Sequence, residues 1–306
     1  MGLLPHAAQC QTTTAPTDAT RALIGNRVEA LTILGGDFGI SGGDYGFPNV
    51  SMDVSKFGGS GDVGDPQKLG DLDIGWQPRL QGSMGYVDAK AHVNSGPLKG
   101  GTSELRTFAI QFGIGARFWL TNHLSLAPTL TGMYGRTSNE YTPTSGVSQA
   151  DVAQAIRSGL IGWNEATWTL RPALNIQYVF TWDRTIFTLS SDPTLFHTES
   201  FSSSSASNFV NGNSGSLADT VDVDIPLGMQ LYGHELRTGG YFSRTELFGD
   251  LEDGLGTQHL YEAHGRLVLD FLNQFWKVQW IGVGGSYLWG SNFTGWTIGA
   301  DVAFRF

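Results

Sequence analysis

The chain has 306 residues, of which 42 are glycine and 15% are charged, with a formal net charge of −10. Because nucleic-acid binding requires a basic surface, this balance argues against a nucleic-acid partner. The single cysteine, Cys10, excludes an internal disulfide framework. No run of about eighteen apolar residues is present, so the sequence offers no transmembrane helix.

Residues 1–10 are predicted to be a residual or truncated signal leader. The segment Leu3–Ala8 is similar to the end of a signal peptide whose upstream part is missing. Lipidation of Cys10 is disfavoured because Gln9, directly before it, fits a lipoprotein cleavage site badly. We therefore expect an ordinary thiol in a flexible leader.

Residues 11–35 form the predicted N-terminal segment, which contains a helix. The helix is expected to run from Pro16 to Leu34, with a proline near its start and Gly35-Gly36 as its stop. Fewer than 40 residues precede the predicted barrel. That length is too short for a large folded passenger ahead of the barrel.

From residue 36 onward, apolar and polar residues alternate with a period of two, in runs of about ten residues or more. Such runs are typical of tilted strands that cross a bilayer with one apolar face. We predict an all-β fold, a transmembrane antiparallel β-barrel over residues 36–306 of about twelve strands, with the N-terminal helix inside the lumen. The strands are expected to begin near residues 36, 49, 72, 105, 124, 165, 185, 219, 235, 258, 277 and 294.

The connections between these strands alternate in length from the fourth strand onward. Short turns are predicted at 121–123, 182–184, 232–234 and 273–276, and long polar connections at 94–104, 142–164, 200–218 and 249–257. This alternation predicts that all the short turns lie at one end of the barrel, as periplasmic turns do. The joins 58–71 and 291–293 fit less well, because the first is long for a turn and the second is short for an outer loop.

Three local features refine this assignment. Ser148 and Asp151 form a capping-box-like start to a helix over Gln149–Leu160 within the long 142–164 connection. The Ser/Asn/Gly-rich stretch Thr198–Ser216 is predicted to be a surface loop. Prolines within the predicted strands argue against the assignment, because each removes a ladder hydrogen bond; they are Pro78, Pro128, Pro172, Pro193 and Pro226.

The last run, Thr294–Phe306, alternates to its end and finishes on an aromatic residue, with Phe304 two positions before it. These two phenylalanines are predicted to form the signal that the barrel-assembly machinery recognises. With these motifs the chain resembles the solitary outer-membrane autotransporter-like β-barrel family, a translocator-like barrel without a large passenger. The residues that carry the resemblance are Gly35–Gly39, Gly42–Phe47, Ser243–Glu246, Gly249–Leu251, Asp253–Gly256 and Asn292–Gly299.

The resemblance implies a bacterial outer-membrane location, and loop parity adds that both barrel ends of the chain are periplasmic. The expected partners are outer-membrane lipid and, during biogenesis, the barrel-assembly machinery. The family supplies no catalytic residues and no cofactor. The expected function is therefore structural, translocator-like or surface-displaying.

Charged residues on the inward faces of the strands make the lumen the candidate site. One hypothesis is a charged, selective water path, which corresponds to a small porin-like channel. The favoured hypothesis is a lumen packed with ion pairs around the N-terminal helix. The predicted lumen-lining residues are Arg79, Arg117, Arg171, Asp222, Asp224, Arg237, Glu262, Arg266, Asp301 and Arg305.

An enzyme is not expected, although two constellations require a test. His197, Ser200 and Asn208 suggest an outer-membrane lipid hydrolase, but their spacing does not match the His-x-Ser-Asn run of such enzymes. His259 with Glu262 and His264 suggests a metal site, but alternation puts His259 on the opposite face of the strand. We therefore predict no catalytic residue, no metal and no cofactor.

Overall fold

The computed structural model describes residues 27–34, 40–47, 49–70, 74–94, 96–205, 210–275 and 278–304. The side chains of 272–275, 278–279, 301 and 303–304 are not among those described. The predicted leader, Cys10 and the start of the N-terminal helix lie outside this range. So do Gly35-Gly36, Arg305 and Phe306.

The described chain is dominated by long antiparallel strands, each of which pairs with its neighbours in sequence. β1 also pairs with the last strand, and β2 pairs with β4, so the sheet closes into a barrel of twelve strands, with the two-residue β3 lying beside β4. The predicted twelve-stranded barrel is thereby confirmed. The strands are β1 Ile40–Phe47, β2 Val50–Asp62, β3 Gln67–Lys68, β4 Gly75–His92, β5 Thr102–Trp119, β6 Leu124–Thr142, β7 Asn164–Trp182, β8 Thr185–Ser203, β9 Asn211–Leu231, β10 His234–Gly249, β11 His259–Phe275, β12 Val278–Gly290 and β13 Thr294–Phe304.

The two faces of the strands differ as the alternation predicts. On β5, Phe108, Ile110 and Phe112 are exposed on the outer wall, whereas Thr107 and Gln111 are buried in the lumen. Apolar side chains on the outside and polar ones inside are the arrangement of a barrel surrounded by lipid. Within the described residues, no helix has the length and apolar character required to cross a membrane.

In the described part of the chain, three helices accompany the barrel. The described part of α1 covers residues 27–34, and the other two are α2 Gln149–Arg157 and α3 Asp250–Leu255. The Ser148 hydroxyl accepts a hydrogen bond from the Asp151 amide at 3.1 Å, which confirms the predicted cap. The predicted end at Leu160 is wrong, since α2 ends at Arg157 and Gly159 takes a left-handed conformation with φ +73°.

The predicted surface loop Thr198–Ser216 is also wrong over most of its length. β8 continues to Ser203 and β9 begins at Asn211, so only a short connection remains. Thr198 and Ser214 are buried, because their small hydroxyl-bearing side chains face the lumen. Composition indicated a loop, whereas the hydroxyls are satisfied by partners inside the barrel.

The barrel accommodates its strand prolines in two ways. Pro226 lies beside a bulge, where the β9–β10 register shifts and Gly228 takes a φ of +67°. Pro172 and Pro193 lie where the β7–β8 ladder is interrupted, between the pairs Leu170↔His197 and Ile176↔Ser191, with Ala173↔Thr194 as the one pair recorded between these two. The register is the same on both sides of that gap, so the prolines remove hydrogen bonds without displacing the strands.

The two ends of the barrel are distinct. We call the end with the connections 93–101, 143–163, 204–210 and 250–258 the loop end. The opposite end, with the connections 120–123, 183–184 and 232–233, is the turn end. β1 begins and β13 finishes at the turn end, since Ile40 pairs with Ala300.

Candidate functional site: the barrel lumen

Helix α1 fills the loop-end half of the lumen. Every side chain from Val28 to Ile33 is buried, whereas Arg27 is exposed at the mouth. A helix that is buried on all its faces must be surrounded by the wall. The chain therefore enters α1 at the loop end, and α1 closes that half of the barrel.

Apolar contacts surround α1 on three sides. Leu31 packs against a cluster that includes Met52, Val54 and Phe293. Ala30 and Ile33 pack against side chains of β8, β10 and α3, and Val28 packs against Trp163 and Val210. The loops thus fold inward over the helix, because Trp163, Val210, Leu251, Leu255 and Phe293 of the loop-end connections are part of the apolar surface that buries it.

The remaining face of α1 carries Glu29 and Thr32 and lies against a wall of hydroxyls. The Ser214 hydroxyl donates to Glu29 Oε1 at 2.7 Å, and the Thr198 hydroxyl lies 3.4 Å from the same oxygen. The second oxygen of Glu29 is buried without a hydrogen-bond partner among the described residues. Burial, with Asp250 nearby, raises the pKa of Glu29 to about 7, since Ser214, Thr198 and His197 compensate only in part. Glu29 belongs to α1, inside the lumen, and not to one of the strands that span the membrane.

Glycines in the wall allow this close approach. A Cβ atom at Gly135 of β6 would lie 2.5 Å from the Thr32 methyl group, and one at Gly212 of β9 would clash with the Glu29 carboxylate. α1 can lie directly on both positions only because glycine has no Cβ atom. The position of the helix is therefore fixed on its polar side as well as on its apolar sides.

The turn-end half of the lumen is lined by ion pairs instead. Arg79 Nη1 lies 2.7 Å from Asp62 Oδ1, and Arg117 Nε lies 2.9 Å from Asp62 Oδ2. Arg117 also donates to Gln177 at 2.6 Å. One carboxylate thus holds two arginines from adjacent strands, β4 and β5.

A second network joins β9, β10 and β11. Arg266 forms a bidentate pair with Asp222, at 2.6 and 2.7 Å, and Arg237 Nε lies 2.6 Å from Asp224. Glu235 adds a third carboxylate, 3.4 Å from Arg237. Bidentate and doubly bridged pairs are among the strongest arginine contacts, so this wall is electrostatically satisfied by its own residues.

Between the two halves lies a cavity of about 340 Å³, which Ile33 and Leu34 of α1 line from one side. Arg171 lies over the Phe196 ring at 5.4 Å, and the Tyr241 hydroxyl donates to Glu262 at 2.7 Å. Both Arg171 and Glu262 line the cavity. The cavity is thus apolar where α1 lines it, and its wall mixes polar residues such as Arg171 and Glu262 with apolar residues such as Leu247 and Leu288.

The structure brings the predicted lumen residues together in these two networks and the cavity. Arg79 and Arg117 share Asp62, and Arg171 and Glu262 line the cavity. Arg237 pairs with Asp224 and Arg266 pairs with Asp222. Asp301 and Phe304 lie in β13, but their side chains are not among those described. Arg305 and Phe306 lie outside the described residues.

The hydrolase hypothesis has no support in the geometry. His197 and Ser200 project from opposite faces of β8, since His197 contacts Asn213 and Trp168 on the outer wall and the Ser200 hydroxyl donates to Glu165 inside. Asn208 lies outside the described residues. Among the described residues, no group of three metal-ligating side chains is present.

Sequence reasoning missed the residues that hold α1. Glu29 was only one polar residue on the predicted helix, and Thr198 and Ser214 were assigned to a loop. Alternation across 194–200 and 212–216 would have placed both hydroxyls inward. Asp62 was missed because it falls within the join 58–71, beyond the expected end of its strand.

The geometry agrees with comparisons to known proteins. The family model of the solitary outer membrane autotransporter β-barrel domain matches residues 67–299. The chain belongs to this family. It is an outer-membrane barrel of the autotransporter translocator type, and the family is not an enzyme family. Among curated proteins, none matches the sequence.

Two solved structures show the same fold. The β-domain of the Bordetella autotransporter BrkA is 12% identical, with a TM-score of 0.57 over 87% of this chain and 96% of that chain. The transport unit of the Escherichia coli autotransporter AIDA-I is 11% identical, with a TM-score of 0.56 over 93% and 99% of the two chains. These likenesses extend over nearly the whole of both relatives and show that the barrel has the same fold.

Proposed function

We propose that the protein is a self-plugged outer-membrane barrel that anchors the segment ahead of α1 and displays it at the cell surface. The observation that carries this proposal is the burial of α1 from Val28 to Ile33 within the loop-end half of the lumen. A helix held on four sides closes the bore and leaves its exposed start, Arg27, at the mouth. The role is translocator-like, with the barrel as anchor.

The proposed orientation puts the loop end outside the cell and the turn end in the periplasm. Long loops outside and short turns inside are the arrangement of bacterial barrels. Protease added to intact cells should cut within 143–163, whereas tags in 120–123 should be reached only after the outer membrane is opened. Cleavage at 120–123 in intact cells would reverse the orientation.

During biogenesis, the proposed partner is the barrel-assembly machinery, which would read the end of β13 including Phe304 and Phe306. Deletion of Phe306 should lower the amount of folded, heat-modifiable barrel in the outer membrane. Deletion of a residue from the 143–163 loop serves as the control. Equal yields of folded barrel from the two variants would contradict recognition of the end of β13 by the barrel-assembly machinery.

Single-channel conductance tests the plug. The intact protein in a planar bilayer should conduct little, and a variant lacking residues 1–34 should open, because the loop-end half would lose its helix. A variant lacking only residues 1–15 retains α1 and is the matched control, which should stay closed. If the control opens as widely as the longer deletion, α1 is not the plug.

A small channel is the second candidate, which the charged turn-end half and the cavity of about 340 Å³ favour. A polar lumen with fixed charges conducts ions when its whole length is open. In the conductance experiment, an intact protein as conductive as the deletion variant would favour the channel. Ion selectivity would then depend on Asp222 and Arg266.

We infer further that the protein has no hydrolase activity. This inference is supported by the opposite faces that carry His197 and Ser200. Phospholipid turnover by the intact protein and by the double variant His197→Ala, Ser200→Ala should be equal and at background level. Turnover that disappears in the double variant would restore the enzyme hypothesis.

A further inference from the structure

The outer wall of the barrel changes from apolar to polar at one level near the loop end. On β6 the outward face is apolar from Leu124 to Tyr134, and its next outward residues are Arg136, Ser138 and Glu140. Arg136 and Tyr134 are both exposed. Arg136 is thus the first polar side chain above the lipid-facing band of its strand.

The neighbouring strands fix the depth of this level. Tyr86 of β4 is in register with Phe108 of β5, and Phe108 is in register with Arg136. Both aromatic side chains are exposed on the outer wall. Because exposed aromatics collect at the headgroup level of a bilayer, the guanidinium of Arg136 lies at the depth of lipid headgroups.

Arg136 differs from the other outward-facing cations that lie on the strands near the loop end. Lys90 lies 3.4 Å from Asp88, Arg106 lies 2.9 Å from Glu104, and Arg244 pairs with Glu246. Arg136 makes no ion pair or hydrogen bond with any residue in the described part of the chain. The protein therefore supplies a carboxylate to Lys90, Arg106 and Arg244, but not to Arg136.

A concave pocket of about 410 Å³ adjoins Arg136. The rings of Tyr134 and Phe201 form one side of it, with centroids 6.0 Å apart, and Asn164 and Ser202–Ser204 form its upper rim. Glu165 also lines the pocket, but its carboxylate accepts from the Ser200 hydroxyl and the Val210 amide. The pocket thus combines a cation, amide and hydroxyl donors, and two rings that face the apolar region. Glu199, the nearest outward acid on β8, is directed to His197 at 3.3 Å.

We propose that Arg136, Tyr134 and Phe201 form a binding site for the phosphate of lipid A in the outer leaflet. A guanidinium binds phosphate through two parallel hydrogen bonds, and the rings offer an apolar surface to the sugar and the start of an acyl chain. The choice of lipid A rests on the proposed orientation, because the loop end then lies in the leaflet that lipid A forms. The site is on the outer wall and is independent of the lumen.

Native mass spectrometry of the full chain in detergent, titrated with bisphosphorylated lipid A, tests this proposal. The change Arg136→Gln should weaken lipid A binding about tenfold, because charge-assisted hydrogen bonds to the phosphate are lost. The matched control is Arg106→Gln, one strand away at the same end but paired with Glu104, which should stay within about twofold of the unchanged protein. Dephosphorylated lipid A should bind the unchanged protein as weakly as lipid A binds the Arg136→Gln variant.

Four outcomes would overturn the proposal: Arg136→Gln binding like the unchanged protein, Arg106→Gln losing as much as Arg136→Gln, dephosphorylated lipid A binding fully, or phosphatidylglycerol binding as tightly as lipid A. Heat-modifiability of each variant shows that the barrel is folded before the titration. The same titration on the variant lacking residues 1–34 should give the same affinity, because α1 lies inside. A failed plug experiment therefore leaves this site intact, and a failed titration leaves the plug intact.

Discussion

The loop-end and turn-end halves of the lumen differ in what fills them: a helix packed by apolar side chains in the first, and ion pairs between strands in the second. The loop-end half contains a helix surrounded by apolar side chains, and its two buried carboxyls are Glu29, which accepts from hydroxyls, and Glu165, which accepts from the Ser200 hydroxyl and the Val210 amide. The turn-end half has no described helix, and its arginines are matched by carboxylates from neighbouring strands. The turn-end wall is complete without a plug, whereas the apolar side chains of the loop-end wall would face water without α1. In the proposed self-plugged barrel, closure of the pore therefore depends on the loop-end half.

The largest expected effect comes from a charge placed in the apolar side of the plug. Leu31→Asp would bury an unpaired carboxylate among Met52, Val54 and Phe293, at a cost of several kcal/mol to helix docking. The barrel should remain heat-modifiable while conductance rises to that of the deletion variant. Leu31→Met is the control, which should stay closed because its volume is similar. A closed Leu31→Asp channel would contradict the division between the halves.

The next effect is confined to the turn-end half. Asp222→Asn leaves Arg266 without its bidentate partner and should lower the free energy of unfolding by about 3 kcal/mol, because two charge-assisted hydrogen bonds of a partly buried pair are weakened. Urea unfolding followed by tryptophan fluorescence measures this change. Conductance should stay low, since α1 is untouched. An open channel in this variant would show that the two halves are coupled.

The third effect is a pH dependence of the plug. The pKa of Glu29 rises to about 7 on folding, so the docked helix holds a proton that the undocked helix releases. Docking is therefore strongest below the ordinary glutamate pKa of about 4.5, weakens as the pH rises towards 7, and changes little beyond it; the total is at most about 3 kcal/mol. Conductance should rise between pH 5 and pH 8, and Glu29→Gln should remove that rise. An identical profile in both proteins would exclude Glu29 as the cause.

The smallest effect concerns a loop that lies outside both halves. Ser148→Ala removes the cap of α2 and should destabilise that helix by about 1 kcal/mol. Cleavage of the 143–163 loop by added protease should become a few times faster, with conductance and heat-modifiability unchanged. Gln149→Ala, at the first helical position, is the control and should be cleaved at the original rate. Altered conductance would show that α2 supports the plug.

The sequence predicted the strands closely because alternation and turn residues act locally. The predicted starts at 124, 185 and 294 are those observed, whereas β9, which was expected to begin near 219, begins at Asn211. That error arises because Ser214 and its neighbours have the composition of a loop, while their burial depends on a distant helix. The rotation of α1 about its own axis also depends on contacts with distant parts of the chain. Val28, Ala30, Leu31 and Ile33 are apolar on several sides, so no pattern shows which wall Glu29 meets.

The ion pairs show the same limit. Alternation placed Arg79, Arg117, Arg237 and Arg266 on the inward face, but partner choice depends on register and on strand ends. Asp62 pairs with two arginines because β2 extends further than its glycine-rich sequence indicates. The outward Arg136 is equally ordinary in sequence, and it stands out only when its aromatic row and its missing carboxylate are seen together.

The most direct test of the plugged lumen is a disulfide between α1 and the wall. A Cβ at position 135 would lie 2.9 Å from the Thr32 hydroxyl oxygen, about the separation of a sulfur from the opposite Cβ in a disulfide. In a Cys10→Ser background, Thr32→Cys with Gly135→Cys should oxidise spontaneously in the folded barrel and shift its mobility on a non-reducing gel. Thr32→Cys with Gln177→Cys, in the turn-end half, should remain reduced. Cross-linking of the second pair, or its absence in the first, would contradict the placement of α1 in the loop-end half.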